Sequence, residues 1–205
     1  DADGNETLAH APNSAIIRAV QGINQPLNRV AVDWWPANTE VTIWIYDSEG
    51  GTLLYTGSKE TDEFGWVPFT REDLGGVTIE EGVYIEASDG VTLKTLTYEP
   101  LTLDTVDLDL DQVSGTSNPD EEIGYQLFES QYWNQITIGT TTADEFGNWE
   151  IDFAGQGIDV TEISAVDVYT WDGEGDESRI MHSPDNPKLT VHPDYGWISA
   201  ANWLV

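Results

Sequence analysis

The sequence predicts an all-β protein built of two tandem antiparallel β-sandwich units followed by a C-terminal partial repeat, a strand pair. Three observations carry this. Two stretches are near copies at a fixed offset. Apolar residues alternate with polar ones over short runs bounded by turn residues. No segment has a helical period with caps.

The repeat comes first. Thr61-Asp62-Glu63-Phe64-Gly65-Trp66 returns as Ala143-Asp144-Glu145-Phe146-Gly147-Asn148-Trp149, an offset of 144 − 62 = 82. The same offset carries Val41, Ile43 and Ile45 onto Ile123, Tyr125 and Leu127, and Gly57 onto Gly139. A fixed period of this size means tandem units. The expected boundaries are a flexible N-terminal segment over 1–14, a first unit over 15–100, a second over 101–186, and a partial third over 187–205.

Each unit reads as strands. In Val41-Thr-Ile-Trp-Ile-Tyr46 the alternation places Val41, Ile43 and Ile45 on one face. Gly50-Gly51 signals a hairpin before Thr52-Leu-Leu-Tyr55. Asp62-Glu-Phe-Gly65 is a turn, and Trp66 opens the next strand. Val83 to Ala87 and Val91 to Tyr98 flank the turn Ser88-Asp89-Gly90. Turns at intervals of about 8–12 residues are the pattern of a sandwich.

At Val113-Ser114-Gly115, an alternating strand and then Thr142-Ala143-Asp144 to Gly147-Asn148-Trp149, the chain resembles bacterial immunoglobulin-like (Big-type) repeats of surface and extracellular proteins. The likeness covers roughly residues 15 to 183. In the first unit Gly65 is followed at once by Trp66, without the Asn. The resemblance implies two immunoglobulin-like sandwiches and a secreted, extracellular or cell-surface location. Such modules serve as stalks, adhesins and polymer subunits alike, so it does not choose among functions.

Residues 188 to 205 read as the opening strands of a third unit. Leu189-Thr190-Val191 resembles Leu101-Thr102-Leu103, and Ile198-Ser199-Ala200 resembles Val113-Ser114-Gly115. A lone strand pair cannot bury its apolar face. Three outcomes stay open: the segment packs back on unit 2, the chain belongs to a longer array, or the segment completes a neighbouring subunit by strand addition. The last would build a homopolymer, because a head-to-tail contact does not close.

Composition bounds the function. Of 205 residues, 39% are hydrophobic, with nine Trp, eight Tyr and five Phe, enough for packed cores in both halves. The net charge is −31, from 38 acidic against 7 basic residues. That field repels nucleic-acid phosphates and anionic lipid, and it strains the compact state unless cations screen or bind it. With no cysteine, disulfides and thiol chemistry are excluded. No run is apolar and long enough to insert in a membrane. A chain opening at Asp1 with no visible signal peptide is expected for a processed, mature form or for a recombinantly expressed piece.

The candidate cofactor is calcium, which takes about 6–8 oxygen ligands in flexible geometry. Read with period two, Asp107, Asp109 and Asp111 share one strand face near Asp104, at the junction of the units. A solvated acidic edge is the plain alternative. Asp172, Glu174 and Asp176 alternate with glycines in Asp172-Gly-Glu-Gly-Asp-Glu177, a partial match to a calcium loop, or else an acidic hairpin turn. In the repeated turn, Asp62 and Asp144 are expected to accept hydrogen bonds from nearby backbone amides.

The candidate subunit or ligand contacts are aromatic. Trp44 and Tyr46 face away from the core-side residues of their strand. One of Trp34 and Trp35 must point outward, and Trp34 is assigned there. Trp197, Ile198, Trp203 and Leu204 would be left in water by the partial repeat. An aromatic row suits either a second copy of the chain or the faces of sugar rings. The counterpart of Trp44 in the second unit is Gln126, so the row is particular to the first. His10, His182 and His192 are scattered, no nucleophile stands beside a base, and no catalytic residue is assigned. The chain is expected to be an acidic, calcium-stabilised structural protein of a surface or filamentous assembly. The alternative is an adhesin or carbohydrate-binding module.

Overall fold

The computed structural model describes residues 14–23, 27–129 and 134–183, together with the backbone of 188–192 and 197–201. Among these residues the regular secondary structure is nearly all strand, and its one helical element is a 3₁₀ turn at Ala154–Gln156. The strands in chain order are β1 (Ile16–Ile23), β2 (Asn28–Asp33), β3 (Glu40–Tyr46), β4 (Leu53–Glu60), β5 (Val67–Phe69), β6 (Tyr84–Ser88) and β7 (Leu93–Thr97). They continue as β8 (Thr105–Asp107), β9 (Gln112–Thr116), β10 (Glu122–Glu129), β11 (Asn134–Thr142), β12 (Asn148–Asp152), β13 (Ser164–Trp171), β14 (Glu177–His182), β15 (Lys188–His192) and β16 (Trp197–Ala201).

The chain forms two compact units. Among the described residues, unit 1 takes 14–21, 27–100 and 170–179, and unit 2 takes 22–23, 101–169 and those from 180 onward. The excursion of 170–179 into unit 1 is absent from a linear division into 15–100 and 101–186.

Unit 1 pairs a four-stranded antiparallel sheet, β4-β3-β6-β7, with a second sheet in which β1, β2 and β5 follow one another. The alternation of β3 explains its place: Val41, Ile43 and Ile45 are fully buried, while Trp44 and Tyr46 face outward and are half-buried. The core adds Ile17, Val30, Val32, Trp35, Phe69, Ile85, Leu96 and Tyr98. Fragment 170–179 is tied into this unit by polar bonds. Tyr98 Oη donates to the Arg179 carbonyl at 2.9 Å, and the Glu99 amide donates to Ser178 Oγ at 3.0 Å.

Unit 2 sets the sheet β12-β9-β8 against strands β11, β10 and β13. Its core holds Val113, Ile123, Tyr125, Leu127, Trp149, Ile151, Phe153, Val166 and Val168. Tyr125 and Phe153 meet edge to face with centroids 5.5 Å apart. In β13 every position from Ser164 to Thr170 is buried, so both of its faces are covered.

The structure changes the alignment of the repeat at one point. Asp144 accepts the amide of Asn148 as Asp62 accepts that of Trp66, and the Asp62 and Asp144 amides donate to the Trp66 and Asn148 carbonyls in turn. The offset of 82 therefore runs on without a gap. Trp66 is the counterpart of Asn148, and Val67, at the start of β5, is the counterpart of buried Trp149. The apparent missing Asn in the first unit came from matching the two tryptophans by type.

Strands β15 and β16 pair from Lys188↔Ala201 to His192↔Trp197. Among the described residues they form a two-stranded sheet of their own. Trp197 and Ile198 lie on β16, with side chains outside the described residues, as are Trp203 and Leu204 altogether.

Candidate functional site

The outer face of the β4-β3-β6-β7 sheet carries the aromatic row. Register sets Trp44 opposite Thr56 on one side and Glu86 on the other, and Tyr46 opposite Tyr84. Beyond β6, Thr95 faces Glu86 and Thr97 faces Tyr84. The result is a surface of one Trp and two Tyr interleaved with hydroxyls and one carboxylate. The Tyr46 and Tyr84 rings lie 6.1 Å apart at 47°, and Tyr46 Oη donates to Glu86 Oε2 at 3.4 Å. Partial loss of water, and then the Glu86 charge, push the Tyr46 phenol above its ordinary pKa, so it stays a donor at neutral pH. On the same face the Thr42 and Ser58 hydroxyls bond each other at 2.8 Å. Tyr84 and Glu86 complete the row but were missed in the sequence reading, because only the register of β6 against β3 brings them beside Trp44 and Tyr46.

Trp34 lies elsewhere, in the turn after β2. It is exposed, while Trp35 is buried and donates its indole N–H to the Ile16 carbonyl at 3.3 Å. Trp34 takes a left-handed backbone, φ 62°, with its amide donating to Asp33 Oδ1. The tight reversal of the chain is what turns neighbouring indoles to opposite sides.

The first acidic cluster is arranged differently from the period-two reading. β8 ends at Asp107, and 108–111 is a turn, so Asp107, Asp109 and Asp111 do not share a strand face. Asp107 Oδ1 accepts the amides of Asp109 and Leu110, both at 3.0 Å. Asp111, at φ 53°, accepts the Val160 amide at 2.8 Å through Oδ1. Asp107 thus caps the turn, and Asp111 ties it to the distant segment at Val160.

The second cluster meets a cation, and that cation is Lys94. Its ammonium lies 2.9 Å from Glu174 Oε2 and 2.9 Å from Asp176 Oδ2. Asp172 Oδ1 accepts the amides of Glu174 and Asp176, which closes the turn before β14. Asp176 is completely buried, and its Oδ1 accepts the Ile17 amide at 2.6 Å. Burial pushes the Asp176 carboxyl up to about 6, while Lys94 holds Glu174 below the usual carboxylate range. Among the described residues no group of three or more His, Asp or Glu side chains is arranged to hold a metal ion.

Next to this turn, Arg18 bonds Asp33 at 2.5 Å and Glu177 at 2.8 Å, and Arg179 bonds Glu177 at 2.6 Å. Three of the seven cations of the chain, Arg18, Lys94 and Arg179, are thus spent around 174–177. In so acidic a chain this concentration marks where unit 1 most needs neutralisation. Sequence reasoning missed it, since residues 18, 94 and 177 are distant in the chain.

No protein-family model matches the chain, and no curated protein does. Solved structures similar to it include a tetra-tandem repeat in the extending region of a large adhesion protein, at 15% identity over 82% of this chain and 48% of that one, with a TM-score of 0.29. A 1.5-MDa bacterial ice-binding adhesin matches at 17% identity over 83% of this chain and 63% of that one, with a TM-score of 0.25. The CupB2 chaperone of Pseudomonas aeruginosa matches at 12% identity over 81% and 97%, with a TM-score of 0.26. The chain spans about half the length of the first of these and under two thirds of the second. At such scores the likeness carries no argument about function.

Proposed function

We propose that the chain is a non-catalytic structural module of an extracellular or cell-surface assembly, which self-associates through the aromatic face of unit 1. One observation carries this reading. A tandem repeat keeps the same turn and core strand in both units, yet Gln126 and Ala165 stand in unit 2 where unit 1 has Trp44 and Tyr84, and only the position of Tyr46 keeps an aromatic there, Phe128. The core does not require the unit 1 aromatics there, and an aromatic surface on a strongly charged molecule is suited to a contact. No helix among the described residues is long and apolar enough to cross a membrane.

Calcium and strand addition are the finer parts of the proposal. With −31 charges, copies of the chain repel until cations gather between them, and divalent ions do this most effectively. The β15–β16 hairpin supplies strands to which a neighbour could add. Negative-stain electron microscopy of the purified chain, with calcium and with chelator, tests this. Filaments or ordered oligomers in calcium support it. A monomer at every protein and calcium concentration removes it.

The alternative is an adhesive module for neutral glycans, favoured by the interleaving of Trp44, Tyr46 and Tyr84 with Thr56, Thr95 and Thr97. A glycan array with a Trp44→Ala control decides it. Binding that disappears in the variant selects the glycan, and no binding discards it.

A further inference from the structure

We propose that Lys94 and Asp176 condense with one another, so that unit 1 is closed by an amide bond between Nζ and Cγ, formed by the protein on itself with release of one water. The two residues are 176 − 94 = 82 positions apart, on β7 and in the turn before β14.

Four features of the site fit this chemistry. Lys94 Nζ is 2.9 Å from the buried Asp176 Oδ2, with which it forms an ion pair. The amine is thus held against the carboxyl group, a contact from which the nitrogen reaches the carboxyl carbon by a small movement. The other oxygen, Oδ1, is fixed by the Ile17 amide at 2.6 Å, a preorganised donor where negative charge would develop. Asp176 is fully buried and Lys94 nearly so, which keeps water from the reverse reaction. Glu174 Oε2, 2.9 Å from Nζ, is placed to carry protons.

The step balances without any further reactant. A proton passes from the Lys94 ammonium to Asp176 Oδ2, leaving an amine and a carboxylic acid. The Nζ lone pair attacks Cγ, the N–C bond forms, and the carbonyl π pair moves onto Oδ1 beneath the Ile17 amide. A proton on Nζ is relayed through Glu174 to Oδ2, the C–Oδ2 bond breaks, and water departs as the carbonyl reforms. An ammonium and a carboxylate have become an amide and water.

The bond would tie an edge strand of unit 1 to the fragment contributed from late in the chain. By closing a long loop it restricts the unfolded chain as other cross-links do. It also removes one positive and one negative charge from the interior, where each is costly to bury.

Mass spectrometry of the intact chain and of its proteolytic digest tests this. The folded wild-type protein should be lighter than its sequence by one water, and a single branched peptide should contain both Lys94 and Asp176. Lys94→Arg and Asp176→Ala should each restore the full mass, folded or not, because the readout is covalent. Glu174→Gln should leave a larger uncondensed fraction in freshly made protein. Recovery of Lys94 and Asp176 on separate, unmodified peptides from the folded wild type overturns the proposal. So does a lost water that maps to another residue pair.

Discussion

Gly65 and Trp35 are held so closely that a β-carbon on the glycine would overlap the Trp35 carbonyl oxygen, while the Trp35 amide donates to the Gly65 carbonyl at 3.1 Å. One repeat later, Gly147 and Ser117 do the same, the Ser117 amide donating to the Gly147 carbonyl at 2.8 Å and the Ser117 carbonyl oxygen leaving no room for a side chain. Both glycines have positive φ, 81° and 84°. The repeated sequence is thus a repeated steric requirement, in which the turn approaches the strand before it too closely for any other residue.

Gly65→Ala and Gly147→Ala should each destabilise the unit that contains them. The backbone conformation alone costs about 1–3 kcal/mol for a non-glycine residue, and the overlap adds to it. Chemical denaturation of each variant measures the loss. Asp62→Ala and Asp144→Ala should act in the same direction, because each aspartate accepts two amides of its turn. Wild-type stability in any of the four would contradict this account of the turn.

The two faces of β3 should respond in opposite ways. Ile43→Ala empties a fully buried position and should cost about 2–5 kcal/mol. Trp44→Ala, on the outer face one residue away, should change stability by about 1 kcal/mol or less while reducing association. Thermal unfolding together with a measure of assembly separates the roles. A Trp44 variant that unfolds as readily as the Ile43 variant would show that the indole is structural.

Much of this was legible in the sequence because the signals are local. Alternation in Val41 to Tyr46 fixed the buried face of β3, and Asp62 to Gly65 announced its turn by composition. The offset of 82 aligned Gly57 with Gly139, and the structure adds the reason. In each unit a tyrosine ring lies over the glycine, but it comes from Tyr55 on the same strand in one case and from Tyr125 across the ladder in the other. What was not legible depends on distant pairing. Counting by twos through Asp107, Asp109 and Asp111 assumed a strand that ends at Asp107. The acidic loop 172–177 gave no sign that Lys94, far earlier in the chain, would be the cation it meets. Nor could period or composition show that 170–179 belongs to unit 1.

Acid should weaken unit 1 through Asp73. Its hydrogen bonds from Lys59, at 2.6 Å, and from Thr70 hold it at about 2, below its ordinary 3.8. A carboxyl with a lowered folded-state pKa contributes stability above about pH 4, and the contribution fades as pH falls toward 2. With the pair partly exposed, the effect is about 1 kcal/mol. Asp73→Asn should flatten that part of the pH–stability profile. An unchanged acid limb in the variant would show that the Lys59 contact contributes nothing.

Salt should stabilise the whole chain. Raising sodium chloride from low ionic strength screens the self-repulsion of −31 charges and should raise the melting temperature. Calcium compared with sodium at equal ionic strength then separates binding from screening. An extra rise in calcium, reversed by chelator, marks specific sites, whereas identical curves remove calcium from the account.

Sedimentation equilibrium of the wild-type chain and the Trp44→Ala variant, each in calcium and across a range of concentrations, tests the central claim most directly. The account predicts a wild-type mass that climbs with concentration and a folded variant that remains a monomer. Monomers of both proteins throughout, or equal association of both, would contradict it.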